Sequence, residues 1–279
     1  MLLDITKEGA NLKKRILLKK AGSLRNIFIL AASLPILAIY LVMLISPSQS
    51  YEPKDYVALV LSQQGDGVAQ GSAILVASAN GSTSSFHLLT AKHVVAGNKV
   101  GDKVYLNFKQ LNDGEGLECI AKIVWFSPTE ISVQNPISFT EDIAVLEIEN
   151  VQILPKNFIG LPIGNSDNVK VASDATSYGY RQFQAGDPEL TVASCKISNL
   201  EPSLNGVKCP SLFRVDGNIL PGLSGGPLVL LDKEGANAEI IGINVATYAE
   251  GENKGYSYVL KVKNAEQFMI SKGFTKLKN

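Results

Sequence analysis

Pro221-Gly222-Leu223-Ser224-Gly225-Gly226-Pro227-Leu228 sets one serine among three glycines and closes with a proline. Glycines at that density permit backbone angles that a Cβ forbids, so amide N–H groups can converge beside an exposed hydroxyl. Acyl transfer needs that combination: a nucleophile, and next to it a hole for the oxyanion. Alone, such a run is more often a turn between strands. The reading therefore depends on whether the serine has partners.

The chain has two histidines, His87 and His93. His93 lies in Phe86-His87-Leu88-Leu89-Thr90-Ala91-Lys92-His93-Val94-Val95, after an apolar run and a small-residue turn. Asp142 heads Asp142-Ile143-Ala144-Val145-Leu146-Glu147-Ile148, a strand-like segment with a carboxylate at its mouth. Histidine, aspartate, serine is the chain order of the chymotrypsin-type triad, whereas α/β-hydrolases run serine, aspartate, histidine and subtilisins begin with aspartate. Asp102, Asp113 and Glu141 compete for the acid's place, but strand alternation puts Asp142 on one face with Ala144, Leu146 and Ile148. His87, in mid-strand, reads as packing, and Lys92 as a solvated charge.

Thr90-Ala91-Lys92-His93, Asp142-Ile143-Ala144-Val145-Leu146 and Gly222-Leu223-Ser224-Gly225-Gly226-Pro227 resemble the three signature blocks of trypsin-like serine proteases. The bacterial HtrA branch is the nearer likeness. Asp216-Gly217-Asn218-Ile219-Leu220-Pro221-Gly222 is similar to its approach to the serine, and Ile240-Ile241-Gly242-Ile243-Asn244-Val245-Ala246 to its following strand. The resemblance covers residues 56–270 and implies an all-β fold of two six-stranded antiparallel barrels. HtrA proteins usually carry a PDZ domain after the protease; with the sequence ending at Asn279, none is expected here.

Turn chemistry at Gly65-Asp66-Gly67, Ala79-Asn80-Gly81-Ser82 and Asn112-Asp113-Gly114 divides short strand-like segments. The first series is Tyr56–Leu61, Gly71–Val76, Phe86–Leu89, Lys103–Phe108, Cys119–Trp125 and Ile143–Ile148. The second is Lys170–Ser173, Thr176–Tyr180, Leu190–Ile197, Leu212–Val215, Pro227–Leu231, Glu239–Val245 and Tyr256–Val262. Such spacing argues for an all-β architecture. We place the first barrel at 56–160 and the second at 161–279. A short C-terminal helix is expected from Asn264 to Ser271, with Gly273 stopping it.

Formal charge balances overall, but residues 1–46 hold seven Lys/Arg against two Asp/Glu. This basic tail, 1–26, abuts Ile27–Ile45, nineteen mostly apolar residues. As a helix that run spans about 28 Å, enough to cross a hydrocarbon core of about 30 Å. Pro35 within it is tolerated in membrane helices. The basic residues stay cytoplasmic under the positive-inside rule. The expectation is a single-pass anchor contacting the lipid bilayer, a linker at 46–55, and a protease domain in the periplasm or outside the cell. A cleaved signal peptide, with Ser48-Gln49-Ser50 as a weak site, is the competing reading. Its expected h-region is shorter than this run.

Cys195 and Cys209 stand fourteen apart, shortly before the serine block. Trypsin-like enzymes often carry a disulfide of similar spacing there, so the resemblance implies a Cys195–Cys209 bridge; two buried thiols are the alternative. Cys119 reads as a packed strand residue. No two cysteines lie at metal-ligand spacing with a histidine, so neither metal nor cofactor is expected. Neutral overall charge without a basic stripe makes nucleic acid an unexpected partner. No trimer-forming segment is identifiable, and no oligomeric state is read.

The resemblance implies roles residue by residue. Ser224 attacks the carbonyl of a polypeptide substrate, His93 takes its proton, and Asp142 orients His93. The N–H groups of Gly222 and Ser224 form the oxyanion hole. Asn218 stands at the primary-pocket floor, with Val245, Ala246 and Thr247 as strand and wall, favouring small or medium aliphatic side chains. Two positions depart from the pattern. Leu223 stands where digestive enzymes have aspartate and HtrA relatives asparagine, and Val245 where many have a hydroxyl. These motivate a competing function, a protease-shaped scaffold that binds peptides without cutting them.

Overall fold

The computed structural model describes residues 51–77, 85–111, 114–132, 134–181, 186–217, 219–220, 222–231, 237–247 and 256–263. The apolar run Ile27–Ile45 and the expected helix from Asn264 to Ser271 lie outside the described residues. Among the described residues no helix is long and apolar enough to cross a membrane.

Six strands close the first barrel: β1 Val57–Gln64, β2 Gly67–Val76, β3 His87–Thr90, β4 Lys103–Asn107, β5 Glu118–Phe126 and β6 Ala144–Ile148. Their order is β1-β2-β3-β6-β5-β4, with all pairs antiparallel. Strand alternation is plainest in β5, where Cys119, Ala121 and Ile123 are buried and Glu118, Ile120 and Lys122 exposed. A half-exposed strand of period two fits one wall of a closed barrel, because only one face meets the filled interior.

The second barrel uses β7 Asp174–Arg181 and β8 Glu189–Asn199. A two-stranded hairpin follows, β9 Ser203–Leu204 with β10 Val207–Lys208. Then come β11 Leu212–Asp216, β12 Pro227–Leu231, β13 Ala238–Thr247 and β14 Tyr256–Lys261, closing in the order β11-β14-β13-β12-β7-β8. The hairpin was not expected, although its turn is Asn205-Gly206, with φ of 49° and 80°. Two central residues at positive φ are the requirement of a tight hairpin turn, which Asn-Gly meets at least cost.

One expected strand is absent. Lys170–Ser173 forms a turn instead, with Ser173 N–H bonded to Lys170 O and Ala172 at φ 67°. Val171 is exposed, so the segment has no apolar face to bury in a sheet. The connector between barrels is held at both ends: Leu161 bridges to Val76 in the first barrel and Ile163 to Ile240 in the second.

The Cys195–Cys209 bridge is also not formed; both are free thiols, as is Cys119. Cys195 is on β8 inside a second-barrel core cluster with Ile197, Phe213 and Val215, its Sγ donating to Ala175 O. Cys209 follows the β9–β10 hairpin and packs in a different cluster, with Leu204 and Leu212. Its Sγ donates to Val207 O. Each thiol thus serves the core next to its own strand.

Where the described chain begins, Tyr51 and Tyr56 pack on Phe158 of the connector at centroid distances of 5.1 and 4.8 Å. Phe108 meets the same ring edge-on at 5.3 Å. Aromatic groups in such offset and edge contacts gain somewhat beyond simple burial.

Candidate active site

His93 rides on a 3-10 turn, Lys92–Val95, that leaves β3 immediately. Val94 and Val95 are buried and pull the turn onto the barrel. Ser62 Oγ donates to Val94 O at 2.6 Å, and Gln64 Nε2 to His93 O at 3.2 Å. The backbone carrying the imidazole is therefore anchored from β1. Lys92 is not merely solvated: Nζ donates to Thr129 O and lies 5.2 Å over the Phe126 ring.

Asp142 ends another 3-10 turn, Pro136–Glu141, and directly precedes β6. It has no exposed surface. A carboxylate that deep needs partners, and it has two on one residue. Its Oδ1 accepts the His93 backbone N–H at 2.9 Å, and its Oδ2 lies 2.6 Å from His93 Nδ1. With Nδ1–H facing the carboxylate, Nε2 is the ring nitrogen left to accept a proton. Among the described residues the ring bonds only to Asp142, and no hydrogen bond joins it to Ser224 Oγ.

Ser224 lies on the loop entering β12, and that loop packs against Ser72 and the Thr90–Ala91 segment of the first barrel. Ser224 O accepts the Ser72 N–H at 2.8 Å. A Cβ on Gly71 would meet Val94 at 2.5 Å and Ser224 O at 3.1 Å. At Gly225 a Cβ would lie 2.2 Å from both Ser72 O and Thr90 Oγ1 and 2.9 Å from Ala91 N. The glycine after the serine is thus needed to seat the loop on the chain leading to His93.

Leu223 N–H bonds to Leu220 O at 3.1 Å, closing a turn in which Gly222 has φ 97°. Positive φ at the third position is the mark of a type II turn and selects glycine. Leu223 is fully buried in the second-barrel core, and its carbonyl accepts from Gly226 N–H at 2.9 Å and Asn244 Nδ2 at 3.2 Å. Asn244 also binds Ser177 Oγ at 2.8 Å, and its backbone pairs with Gly225 N–H and Gly226 O. Leucine at position 223 is therefore a hydrophobic plug, while polar anchoring of the loop comes from β13 on one side and from Ser72 of β2 on the other.

Neither Asn244 nor Ser72 was singled out from the sequence. Each is a fully buried polar residue in an apolar strand, Asn244 between Ile243 and Val245 and Ser72 before Ala73-Ile74-Leu75-Val76. A lone polar residue in such a run was the available signal, since its burial requires hydrogen bonds.

Among the expected substrate-contact residues, Asn218 lies outside the described residues. Val245 is buried, while Ala246 and Thr247 are half-buried. β12 stops with Pro227 opposite Ile243, so Val245, Ala246 and Thr247 run beyond their β12 partner with one edge unpaired among the described strands. Thr247 Oγ1 donates to Ile219 O and meets Ser257 Oγ at 3.0 Å. His87 begins β3 opposite Glu147, with Nε2 3.7 Å from Glu147 Oε1 and burial pushing its pKa down.

Comparison with solved structures gives the same architecture. The HtrA-type protease AlgW with tripeptide is 28% identical at TM-score 0.55, the match covering 80% of this chain and 62% of that one. AlgW with decapeptide is 25% identical at TM-score 0.53, over 78% and 64%. The serine endoprotease from Yersinia pestis is 19% identical at TM-score 0.52, over 78% and 63%, a likeness of fold alone. This chain thus spans a little over three fifths of those three chains. Among curated protein sequences none matches. The family model for the trypsin-like peptidase domain matches residues 71–243, more than half of the chain, and the chain belongs to that family.

Proposed function

We propose that this chain is a serine endopeptidase that hydrolyses peptide bonds through an acyl-enzyme, with Ser224 as nucleophile, His93 as general base and Asp142 as its orienting acid. The carrying observation is the pair of hydrogen bonds that buried Asp142 accepts from His93, made beside a glycine-framed serine loop docked from the other barrel. Ser224 Oγ attacks the scissile carbonyl as its proton passes to Nε2 of His93. The imidazolium, stabilised by Asp142, then protonates the leaving amine, and water repeats the cycle on the ester. Gly222 and Ser224 N–H groups receive the oxyanion. Losing one such donor costs about 3–4 kcal/mol of transition-state stabilisation in related chemistry.

Substrate lies along the unpaired edge of Val245, Ala246 and Thr247 as an added strand, with Asn218 at the primary-pocket floor. The peptides bound to AlgW in its solved forms agree with a polypeptide substrate. The domain works outside the cytoplasmic face of a membrane, tethered by Ile27–Ile45 or released after cleavage of that leader.

A fluorophosphonate probe tests the reading. Wild type should label at Ser224, and Ser224→Ala and His93→Ala proteins should not. The missing Ser224–His93 hydrogen bond favours one second reading, a peptide-binding scaffold without catalysis. Catalytic hydrogen bonds are often long before substrate arrives, so the probe separates the two: a folded wild type that resists it, yet binds peptides, is the scaffold.

A further inference from the structure

Among the described residues, Ser72 is the residue outside the triad that hydrogen-bonds the serine loop from the opposite barrel. Ser72 is on β2 of the first barrel and fully buried. Its hydroxyl accepts the Tyr180 N–H at 2.8 Å. A serine hydroxyl has one proton, and that proton goes to Gly222 O at 3.0 Å. The Ser72 backbone N–H donates to Ser224 O at 2.8 Å, and its carbonyl accepts Thr90 Oγ1 at 2.7 Å. The carbonyls on both sides of Leu223 are thus held by one residue, which is also tied to the strand leading to His93.

Peptide planarity turns these bonds into an orientation of amides. In a trans peptide, C=O and N–H point in opposite directions. Gly222 O drawn toward Ser72 sends the Leu223 N–H the other way, to Leu220 O, which closes the turn holding Gly222. Leu223 O drawn toward Asn244 Nδ2 and Gly226 N–H sends the Ser224 N–H away from the second-barrel core. Gly222 and Ser224 carry the two oxyanion donors of the reading above. We infer that Ser72 is a positioning residue whose hydroxyl, acting on the Gly222 carbonyl from the other barrel, fixes the Gly222–Leu223 peptide that lies between the peptides carrying the Gly222 and Ser224 N–H groups, and so holds both donors in register. This rests on the serine-protease reading.

The fit around the hydroxyl is close: a Cβ on Gly179 would sit 2.9 Å from Ser72 Oγ. Alanine at 72 keeps the backbone bond to Ser224 O but leaves Gly222 O and Tyr180 N–H unpaired. Cysteine restores a weak donor.

The test compares wild type, Ser72→Ala and Ser72→Cys by steady-state kinetics on a fluorogenic peptide, fluorophosphonate labelling rate, and backbone amide NMR signals of residues 222–226. In Ser72→Ala, kcat and labelling should fall about 10–100-fold, the scale of an ångström-sized misplacement, with KM within about twofold. The Gly222 and Ser224 amide signals should shift, and Ser72→Cys should recover part of kcat. Wild-type kcat with unmoved loop signals in folded Ser72→Ala overturns the inference. If Ser72→Ala does not fold, Ser72→Cys carries the test: a smaller fall with shifted loop amides supports it, and wild-type values of both overturn it. Should wild type neither cleave nor label, the protease reading fails by itself, and the loop amide signals still decide whether Ser72 orients them.

Discussion

Asp142 holds His93 at two points, through the ring at 2.6 Å and through the backbone N–H at 2.9 Å. The second contact fixes the carboxylate against the same turn that carries the imidazole, so acid and ring move as one body. It supplies an anchoring donor even though Val245, at a position where many relatives have a hydroxyl, offers none. Asn at 142 can still accept the backbone N–H through its amide oxygen. Its NH2 group then faces Nδ1 and selects the tautomer protonated on Nε2, which cannot act as base. Asp142→Asn should fold normally and lose about 10⁴ in kcat. Thermal melting together with kcat on a fluorogenic peptide checks this; a loss below tenfold would remove Asp142 from the mechanism.

Gly222 offers a second test. A Cβ there would lie 2.7 Å from Tyr180 O and 3.1 Å from Arg181 Cα, at a φ that L residues rarely adopt. Gly222→Ala should push φ negative and turn the Gly222 amide away from the oxyanion. The expected result is a fall in kcat of about 10²–10³, with KM for peptide nearly unchanged. Equal losses in kcat and peptide affinity would instead mean that the whole loop had left its seat.

Thiol counting addresses the cysteines. Unfolded in denaturant without reductant, the protein should titrate three thiols; one thiol would restore a Cys195–Cys209 disulfide. In the native state reaction with a thiol reagent at pH 8 should be slow. Burial pushes the Cys119 thiol up to about 12 and that of Cys195 up to about 11, and the thiolate is the reactive form.

His87 gives stability a pH dependence. Burial lowers its pKa from the ordinary 6.5, and the more distant Glu147 opposes this only in part. The unfolded chain then binds the proton more readily than the folded one, so stability is complete above pH 6.5 and declines as pH falls toward the lowered folded value. Urea midpoints between pH 8 and pH 5 should show this slope, flattened in His87→Gln. Parallel curves for the two proteins would exclude His87 as its source.

Much of the fold was legible because barrel strands advertise themselves: Pro227–Leu231 was placed to the residue, and most others lengthened by only a few positions. Lys170–Ser173 misled because a short stretch with a central valine reads as a strand whether or not a sheet edge is there to receive it. Within the site, His93, Asp142 and Ser224 stood out because their residue types and order are rare together. Ser72 and Asn244 did not, since their importance lies in hydrogen bonds to the serine loop, made by Ser72 from the other barrel and by Asn244 from β13. Such bonds depend on tertiary approach, and a sequence shows only that a polar residue sits in an apolar run.

The stack of Tyr51 and Tyr56 on Phe158 has a practical meaning for where the chain can be shortened. A protein shortened to begin at Tyr51 keeps both rings over the inter-barrel connector. One shortened to Val57 strips them off and opens the connector to water, although every strand remains. Cutting the chain after Ser50 would accordingly cost the two barrels none of these rings.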